Sequence, residues 1–141
     1  QGLARVATGQ GLSADHARAA LRLRQAVARQ PFMVAGTGRF DTRVMQHFGE
    51  RVFCKVGAEG VYCAAFPEQG LGVALKMDDG NNARAAEVAM AALVAHHVQR
   101  DEDDADALAP LLNPVLSNWR GLRVGGLQPQ PHFLVSASSS K

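Results

Sequence analysis

Lys55 is the side chain in this sequence with the clearest potential for acid–base chemistry. It lies in residues 51–66, where two strand-like runs flank a corner that contains Gly57 and Gly60. Phe53 and the neighbouring valines favour a half-buried strand, and the glycines allow the backbone to turn or to approach a ligand closely. A lysine that loses solvent in such a corner can accept a proton from a hydroxyl group or hold an anion. By spacing alone, a solvated lysine at the end of a strand is the commoner arrangement.

Two longer runs of the sequence resemble the C-terminal part of the L-asparaginase II family. They are VAGTGRFDT, residues 34–42, and FCKVGAEGVYCAAFPEQGLGVALKMDDGNNARAAEVAMAAL, residues 53–93. This family is similar in fold to serine β-lactamases and glutaminases, and it is distinct from the threonine-dependent asparaginases. The resemblance spans most of residues 3–127 and matches Lys55 to the lysine of the family's KxGAEG motif. That motif corresponds to the Lys-Thr-Gly strand motif of β-lactamase-like enzymes.

The resemblance implies an amidohydrolase that converts L-asparagine to L-aspartate and ammonia through a serine nucleophile. Lys55 would be the catalytic residue of this chain, because a lysine among apolar strands can orient or deprotonate a serine. Backbone N–H groups of Gly57 and Ala58 would form the oxyanion hole, since glycine lets a substrate approach the main chain. Glu59 would either receive the substrate ammonium or form a salt bridge in the turn.

Several motifs of the family are missing from these 141 residues. Family members carry an N-terminal half with a Ser-x-x-Lys nucleophile in an SGKH-type run, a second catalytic serine, and cysteines that can bind a metal. Ser138 and Lys141 have the Ser-x-x-Lys spacing, but that pattern needs a helix, and we interpret it as a coincidence. We therefore expect the C-terminal portion of a longer hydrolase, inactive alone, with the N-terminal half as its partner. We expect no cofactor in this chain. A metal site, if the enzyme has one, would lie in the N-terminal half.

Two alternatives remain open at this point. The chain could be a non-catalytic assembly module that docks on the N-terminal half through a sheet edge and Trp119. It could also be a small-molecule-binding protein unrelated to asparagine, with a pocket near Lys55. A tight complex with the other half would favour the first alternative, and stable folding as a monomer would favour the second.

Composition excludes several other classes. The 15 basic and 13 acidic residues give a net charge of +2, which is too small to indicate a nucleic-acid or membrane partner. No apolar run approaches the roughly 20 residues that cross a bilayer, so we expect a soluble cytoplasmic protein. We also expect a homo-oligomer such as a dimer. Cys54 and Cys63 fit no zinc pattern, and we expect buried free thiols.

The elements that position Lys55 form a predicted α+β domain, residues 1–135, with an antiparallel sheet covered by helices. Short turns between residues 52–56, 61–66 and 71–76 predict a meander of three strands. A fourth strand is expected near residues 122–127. Residues 1–12 are predicted to be frayed, and residues 136–141 to be a flexible tail.

Helix signals flank the predicted strands. Ser13 predicts the start of a helix that ends before Pro31, with its apolar stripe at Ala20, Leu23 and Val27. Residues 83–98 predict a core helix. The other expectations are a cap at Asp41 and Thr42 for a short helix, a structural His47 at the end of that helix, an acidic helix start at residues 101–104, breaks at Pro110 and Pro114, and Trp119 in the core or at an interface.

Overall fold

The structure is α+β across residues 2–134, the part of the chain that the computed structural model describes. This confirms the predicted fold class; the predicted tail, residues 136–141, lies outside the described residues. The helices are α1 (Gly2–Thr8), α2 (Ala14–Arg29), α3 (Phe32–Ala35), α4 (Phe40–Phe48), α5 (Ala85–Val98) and α6 (Glu102–Leu112), and Gly49–Arg51 forms a short 3-10 turn. The strands are β1 (Phe53–Val56), β2 (Val61–Phe66), β3 (Leu71–Lys76), β4 (Val115–Ser117) and β5 (Arg123–Gly126).

The main sheet has the predicted meander. Its strands pair antiparallel in the order β1-β2-β3, with Lys55 opposite Cys63 and Val61 opposite Lys76. The order leaves β1 and β3 as the two edges. A second, two-stranded sheet pairs β4 with β5, which confirms the strand expected near residues 122–127.

One face of the main sheet carries the core. Because side chains alternate along a strand, Cys54, Tyr62, Ala64 and Phe66 share this face, and each is at most 1% exposed. Helices α4 and α5 pack against it, and α6 completes the cluster. The other fully buried members include Val44, Met45, Ala86, Met90, Val94 and Leu108. Helix α5 is therefore the core helix that its alanine-rich sequence predicts.

The opposite face of the sheet is covered at one end by α1. A Cβ built on Gly72 would lie 2.4 Å from the backbone nitrogen of Ala4 and 2.8 Å from the carbonyl carbon of Leu3. Only a glycine allows this approach, so the prediction that residues 1–12 are frayed is wrong. The cause is a tertiary contact made some 70 residues away in sequence. The other end of this face, with Lys55 and Ala74, is exposed.

Helix α2 begins as predicted and buries less of its apolar stripe than expected. The Ser13 hydroxyl accepts a hydrogen bond from the backbone N–H of His16, which is the expected N-cap. Ala20 is buried and Val27 is half-buried, but Leu23 is 66% exposed, so its assignment to the buried stripe is wrong. The described residues contain no helix long and apolar enough to cross a membrane.

A buried carboxylate joins α4, the 3-10 turn and α6. Asp104 is 2% exposed and accepts from both terminal nitrogens of Arg51, at 2.7 and 2.8 Å. It also lies 2.8 Å from His47 Nε2 and accepts from the backbone N–H of Arg100 at 3.0 Å. The Arg51 guanidinium holds the pKa of Asp104 well below its usual range. His47 therefore has the structural role that its position at the end of α4 predicts.

One expectation about the C-terminal third is wrong. Pro110 does not break α6; it lies near the end of that helix, which continues to Leu112. Its missing N–H removes one bond to the preceding turn, but the helix closes beyond it, where the N–H of Asn113 donates to the carbonyl of Ala109 at 3.0 Å. Trp119, expected in the core or at an interface, is fully exposed in the turn between β4 and β5, so it is not a core residue, and the interface stays a prediction. The acidic start of α6 is confirmed, because Asp101 caps it by accepting from the N–H of Asp104.

Candidate active site

Lys55 occupies the third position of β1, on the face of the sheet opposite the core. Its neighbour Cys54 is fully buried, and the alternation of the strand therefore sends the lysine outward, where it is exposed. The Nζ donates a hydrogen bond to the carbonyl of Val56 at 2.7 Å. Lys55 and Cys63 form opposite positions of the β1–β2 ladder, so their side chains share the exposed end of this face.

The corner after Lys55 consists of Gly57, Ala58, Glu59 and Gly60. Its first residue closes the hairpin, because the N–H of Gly57 donates to the carbonyl of Val61 at 2.8 Å. Glu59 and Gly60 both have positive φ, 57° and 73°. Gly60 needs this conformation and has no space for a side chain. A Cβ there would lie 3.0 Å from the Met77 carbonyl oxygen.

The corner rests on the turn that follows β3. The N–H of Met77 donates to the carbonyl of Gly60 at 2.8 Å. Lys76 Nζ donates to the carbonyl of Glu59, and to that of Met77 at 3.0 Å. Within the described residues it forms no salt bridge with the nearby Asp78 or Asp79. Its ammonium instead fixes the backbone of the corner.

Asn82 is a site residue that the sequence analysis misses. Its side-chain Oδ1 accepts from the N–H of Gly60, and its Nδ2 donates to the carbonyl of Gly57 at 2.9 Å. One amide therefore spans the corner from its first residue to its last. The glycine and asparagines of residues 80–82 indicate a turn, but nothing local indicates that Asn82 contacts a loop 22 to 25 residues earlier.

Asp41 is a second residue whose position was not predicted. It lies inside α4 and does not cap it, because the helix begins at Phe40 after Arg39, which makes no side-chain cap bond. The predicted cap at Asp41 and Thr42 is therefore wrong, since both residues lie inside the helix. The carboxylate is 1% exposed, and its Oδ2 accepts from the backbone N–H of Val56 at 3.0 Å, at the edge of β1. The other oxygen, Oδ1, has no hydrogen-bond partner among the described residues.

The two faces of the main sheet differ in electrostatic character. On the core side, burial raises the pKa of Tyr62 well above its usual range, and the Asp41 carboxylate raises it further. Burial likewise raises the pKa of the Cys54 thiol, with Asp41 adding in the same sense. These groups stay neutral in the core. Lys55 and Lys76 lie on the opposite face, which is the side suited to an anionic group.

The predicted substrate-binding residues differ in what they offer a ligand. The N–H of Gly57 is already bonded to Val61, so in this conformation it does not serve as an oxyanion donor. Ala58 and Glu59 are exposed at the tip of the corner. Within residues 2–134, the N–H of Ala58 has no hydrogen-bond acceptor. Glu59 forms no salt bridge in the described part of the chain.

The remaining features offer little to a metal or a small ligand near Lys55. No group of three His, Cys, Asp or Glu side chains in the described residues is arranged to hold a metal ion. Cys54 and Cys63 are free thiols on opposite faces of neighbouring strands; Cys54 is buried as expected, but Cys63 is only half-buried. A cavity of about 260 Å³ is lined by residues that include Met77, Asp79 and Arg84, but not by Lys55.

Comparison with known proteins agrees with the resemblance noted in the sequence. The family model described as L-asparaginase II matches residues 1–129. The matched region contains β1, the corner and the turn that supports it. A search of curated proteins found no match. Because the family model covers nearly all of the 141 residues, the chain belongs to the L-asparaginase II family.

Proposed function

We propose that this chain supplies the lysine strand of an asparaginase-like amidohydrolase that converts L-asparagine to L-aspartate and ammonia. The observation that carries the proposal is the match of the L-asparaginase II family to residues 1–129. The geometry around Lys55 supports it. An outward-facing lysine lies directly before a corner whose backbone is fixed by hydrogen bonds.

The proposed reaction is acyl transfer to a serine supplied from outside these residues. The serine Oγ attacks the carbon of the substrate amide and passes its proton to Lys55, which needs to be neutral at that moment. The carbon–nitrogen bond then breaks, and the nitrogen leaves as ammonia after taking up a proton. Water hydrolyses the resulting ester to aspartate and restores the serine. In this scheme the approaching hydroxyl replaces the carbonyl of Val56 as the partner of Nζ.

The corner supplies the groups that would receive the substrate. The N–H of Ala58 is the proposed oxyanion donor, because that of Gly57 is already bonded. Gly57 contributes in another way, since the absence of a side chain lets the substrate approach the strand. The exposed Glu59 carboxylate would receive the substrate ammonium. A second oxyanion donor would come from the segment that carries the serine.

The proposed partner is the serine-bearing N-terminal half of the enzyme. Two surfaces suit it. The exposed end of the sheet face around Lys55 is open for a serine to approach. The outer edge of β3 offers unpaired backbone groups for an added strand, because β3 pairs only with β2 in the described sheet. We further propose a cytoplasmic homo-oligomer.

Exposed surface also favours a second candidate function. Trp119 is fully exposed, and Leu122 and Val124 of the same hairpin region are 60% and 64% exposed. Exposed apolar groups close together are typical of interaction sites. The chain could therefore act as an assembly module that binds the other half without contributing to the chemistry.

Ammonia release from L-asparagine separates these functions. The measurement uses the chain alone, the N-terminal half alone, and the two mixed. Release only on mixing is expected. Release by the chain alone would contradict the proposal that its nucleophile lies elsewhere. A tight complex whose activity is independent of Lys55 would support the assembly module.

Two substitutions of Lys55 test its role in the mixed enzyme. Lys55→Ala should lower kcat by about 10²- to 10⁴-fold, the usual contribution of a general base. Lys55→Arg is the matched control, because it keeps the positive charge but cannot lose a proton near neutral pH; it should fail as well. Neither should change thermal stability, since the side chain is exposed. Near-normal kcat in Lys55→Ala would refute the catalytic role.

A further inference from the structure

We propose that Asn82 is a positioning residue that fixes the corner of residues 57–60 in the geometry that catalysis requires. The proposal rests on the function inferred above, because it concerns the same site. Asn82 itself would not touch the reacting atoms. Its side chain bonds the backbone of the corner at Gly57 and at Gly60, and it would act by holding that backbone in place.

The side-chain amide of Asn82 bonds the corner with both its acceptor and its donor. Its oxygen accepts from the N–H of Gly60, and its nitrogen donates to the carbonyl of Gly57 at 2.9 Å. An aspartate has no donor for that carbonyl, and an alanine has neither group. A glutamine carries one more methylene and would reach past a loop that is already in contact. Asparagine is thus the side chain that satisfies both ends of the corner.

The backbone groups that Asn82 bonds have few other hydrogen-bond partners. Gly60 is buried, so its N–H would be left without water if the amide were removed. The carbonyl of Gly60 already accepts from Met77. A side chain at position 60 would collide with the Met77 carbonyl and with Gly80. The turn and the corner therefore pack backbone to backbone, and the side chains of Asn82 and Lys76 both bond across this contact.

The consequence for chemistry lies at the tip of the corner. Between the two bonded glycines, Ala58 and Glu59 project into solvent. Their direction is determined by the ends that Asn82 holds, together with the Lys76 bond to the Glu59 carbonyl. An oxyanion donor works only when it is aimed in advance at the developing charge. A corner without both Asn82 bonds would hold the Ala58 N–H less firmly in one direction.

Adjacent asparagines provide a matched pair of variants. Asn81 lies in the same turn, is exposed, and its Oδ1 accepts from the N–H of Ala83 at 2.9 Å. In the described residues it makes no bond to the corner. Asn82→Ala and Asn81→Ala each remove one side-chain amide from the turn, but only the first removes the contacts with Gly57 and Gly60.

The first readout is amide hydrogen exchange on this chain, which does not require activity. Exchange of the Gly60 N–H should be about tenfold faster in Asn82→Ala, the effect of losing one hydrogen bond of about 1.4 kcal/mol. Asn81→Ala should leave it within about twofold of the unsubstituted chain. Equal exchange in the two variants would overturn the proposal, because the amide would then not hold the corner.

The second readout is turnover by the enzyme assembled with its N-terminal half. Asn82→Ala should lower kcat by about 10- to 100-fold, because a small misplacement of catalytic groups is this costly, with KM changed less than about threefold. Asn81→Ala should keep the normal kcat. A loss confined to KM, or equal kcat in the two variants, would overturn the positioning role. If the unsubstituted enzyme releases no ammonia, the proposed function fails, and the exchange result still decides whether Asn82 holds the corner.

A second pair guards against loss of folding. Asn82→Asp keeps the acceptor for Gly60 but places an oxygen against the carbonyl of Gly57, and Asn81→Asp adds the same charge one residue earlier. If Asn82→Ala unfolds, this pair replaces it. A lower kcat in Asn82→Asp alone would support the proposal, and equal kcat in both would refute it.

Discussion

Replacing Asp104 with asparagine should destabilise the fold strongly. The side chain is 2% exposed and receives four polar contacts, two of them from Arg51. Asparagine has nearly the same shape, so no cavity forms. What changes is charge and polarity: the guanidinium loses its anion, and one carboxylate oxygen becomes a donor facing other donors.

The loss of stability depends on how well water can solvate the Arg51 guanidinium once its anion is gone. Removing one partner of a buried ion pair costs about 3–5 kcal/mol. The Arg51 side chain keeps 23% of its surface exposed and that of His47 keeps 24%, so both regain some hydration when Asp104 is neutralised. The lower end of the range therefore applies, about 3 kcal/mol. In a chain of this size that corresponds to a fall in Tm of about 9 °C.

Asp103→Asn is the matched control for this measurement. Asp103 is exposed and lies one residue earlier in the first turn of α6, so it shares the favourable interaction with the helix dipole but none of the buried contacts. Its loss should cost no more than about 1 kcal/mol. Urea denaturation followed by circular dichroism measures both variants at neutral pH. If the two free energies of unfolding differ by less than about 1 kcal/mol, the buried network does not stabilise the fold as argued.

The same network predicts how stability depends on acid. The folded-state pKa of Asp104 lies below its ordinary value of 3.8. The stabilisation is therefore complete above the unfolded-state pKa and is lost as the pH falls through that value toward the folded one. The free energy of unfolding should decline below about pH 5, and Asp104→Asn should make the decline shallower. An identical acid profile in the two proteins would contradict the assignment.

Two further predictions concern the two faces of the sheet. Tyr62 is the single tyrosine of the chain, and because its folded-state pKa lies far above 10.0, its contribution to stability is present below pH 10 and is lost as the pH rises above it. Tyrosinate absorbance should therefore rise only together with unfolding measured by circular dichroism; ionisation while the dichroism stays native would refute this. Gly72→Ala should cost about 1–3 kcal/mol because its methyl group overlaps the backbone of α1 at Ala4. Gly125→Ala, whose methyl would have its nearest neighbour at 3.9 Å, should cost clearly less in the same urea titration, and equal losses would show that α1 does not pack as described.

Much of the secondary structure was predictable because the interactions that specify it are local. Strands β1, β2 and β3 follow from β-branched and apolar runs between glycine-containing turns. The start of α2 follows from Ser13, whose hydroxyl bonds a backbone N–H only three residues away. Each of these signals acts within a few residues of the structure it specifies.

The features that the sequence did not predict depend on contacts between distant residues. Residues 1–12 carry no pattern strong enough to indicate a helix. Helix α1 is stabilised by packing against β3 at Gly72, where the absence of a side chain leaves room for its backbone. Asp41 is a residue type that often caps helices, but its carboxylate accepts a hydrogen bond from the edge of β1, 15 residues later. Leu23 has helical spacing, but the packing around α2 leaves it exposed.

By itself, the sequence determined the α+β class, the three-stranded meander, the membership in the L-asparaginase II family and the choice of Lys55 as the residue to test. Tertiary structure alone decided how the corner after that lysine is supported. Asn82 and Lys76 reach residues 57–60 because the turn after β3 is folded against them. Propensities and caps act over one or two turns of chain, whereas such contacts exist only after the whole sheet has formed.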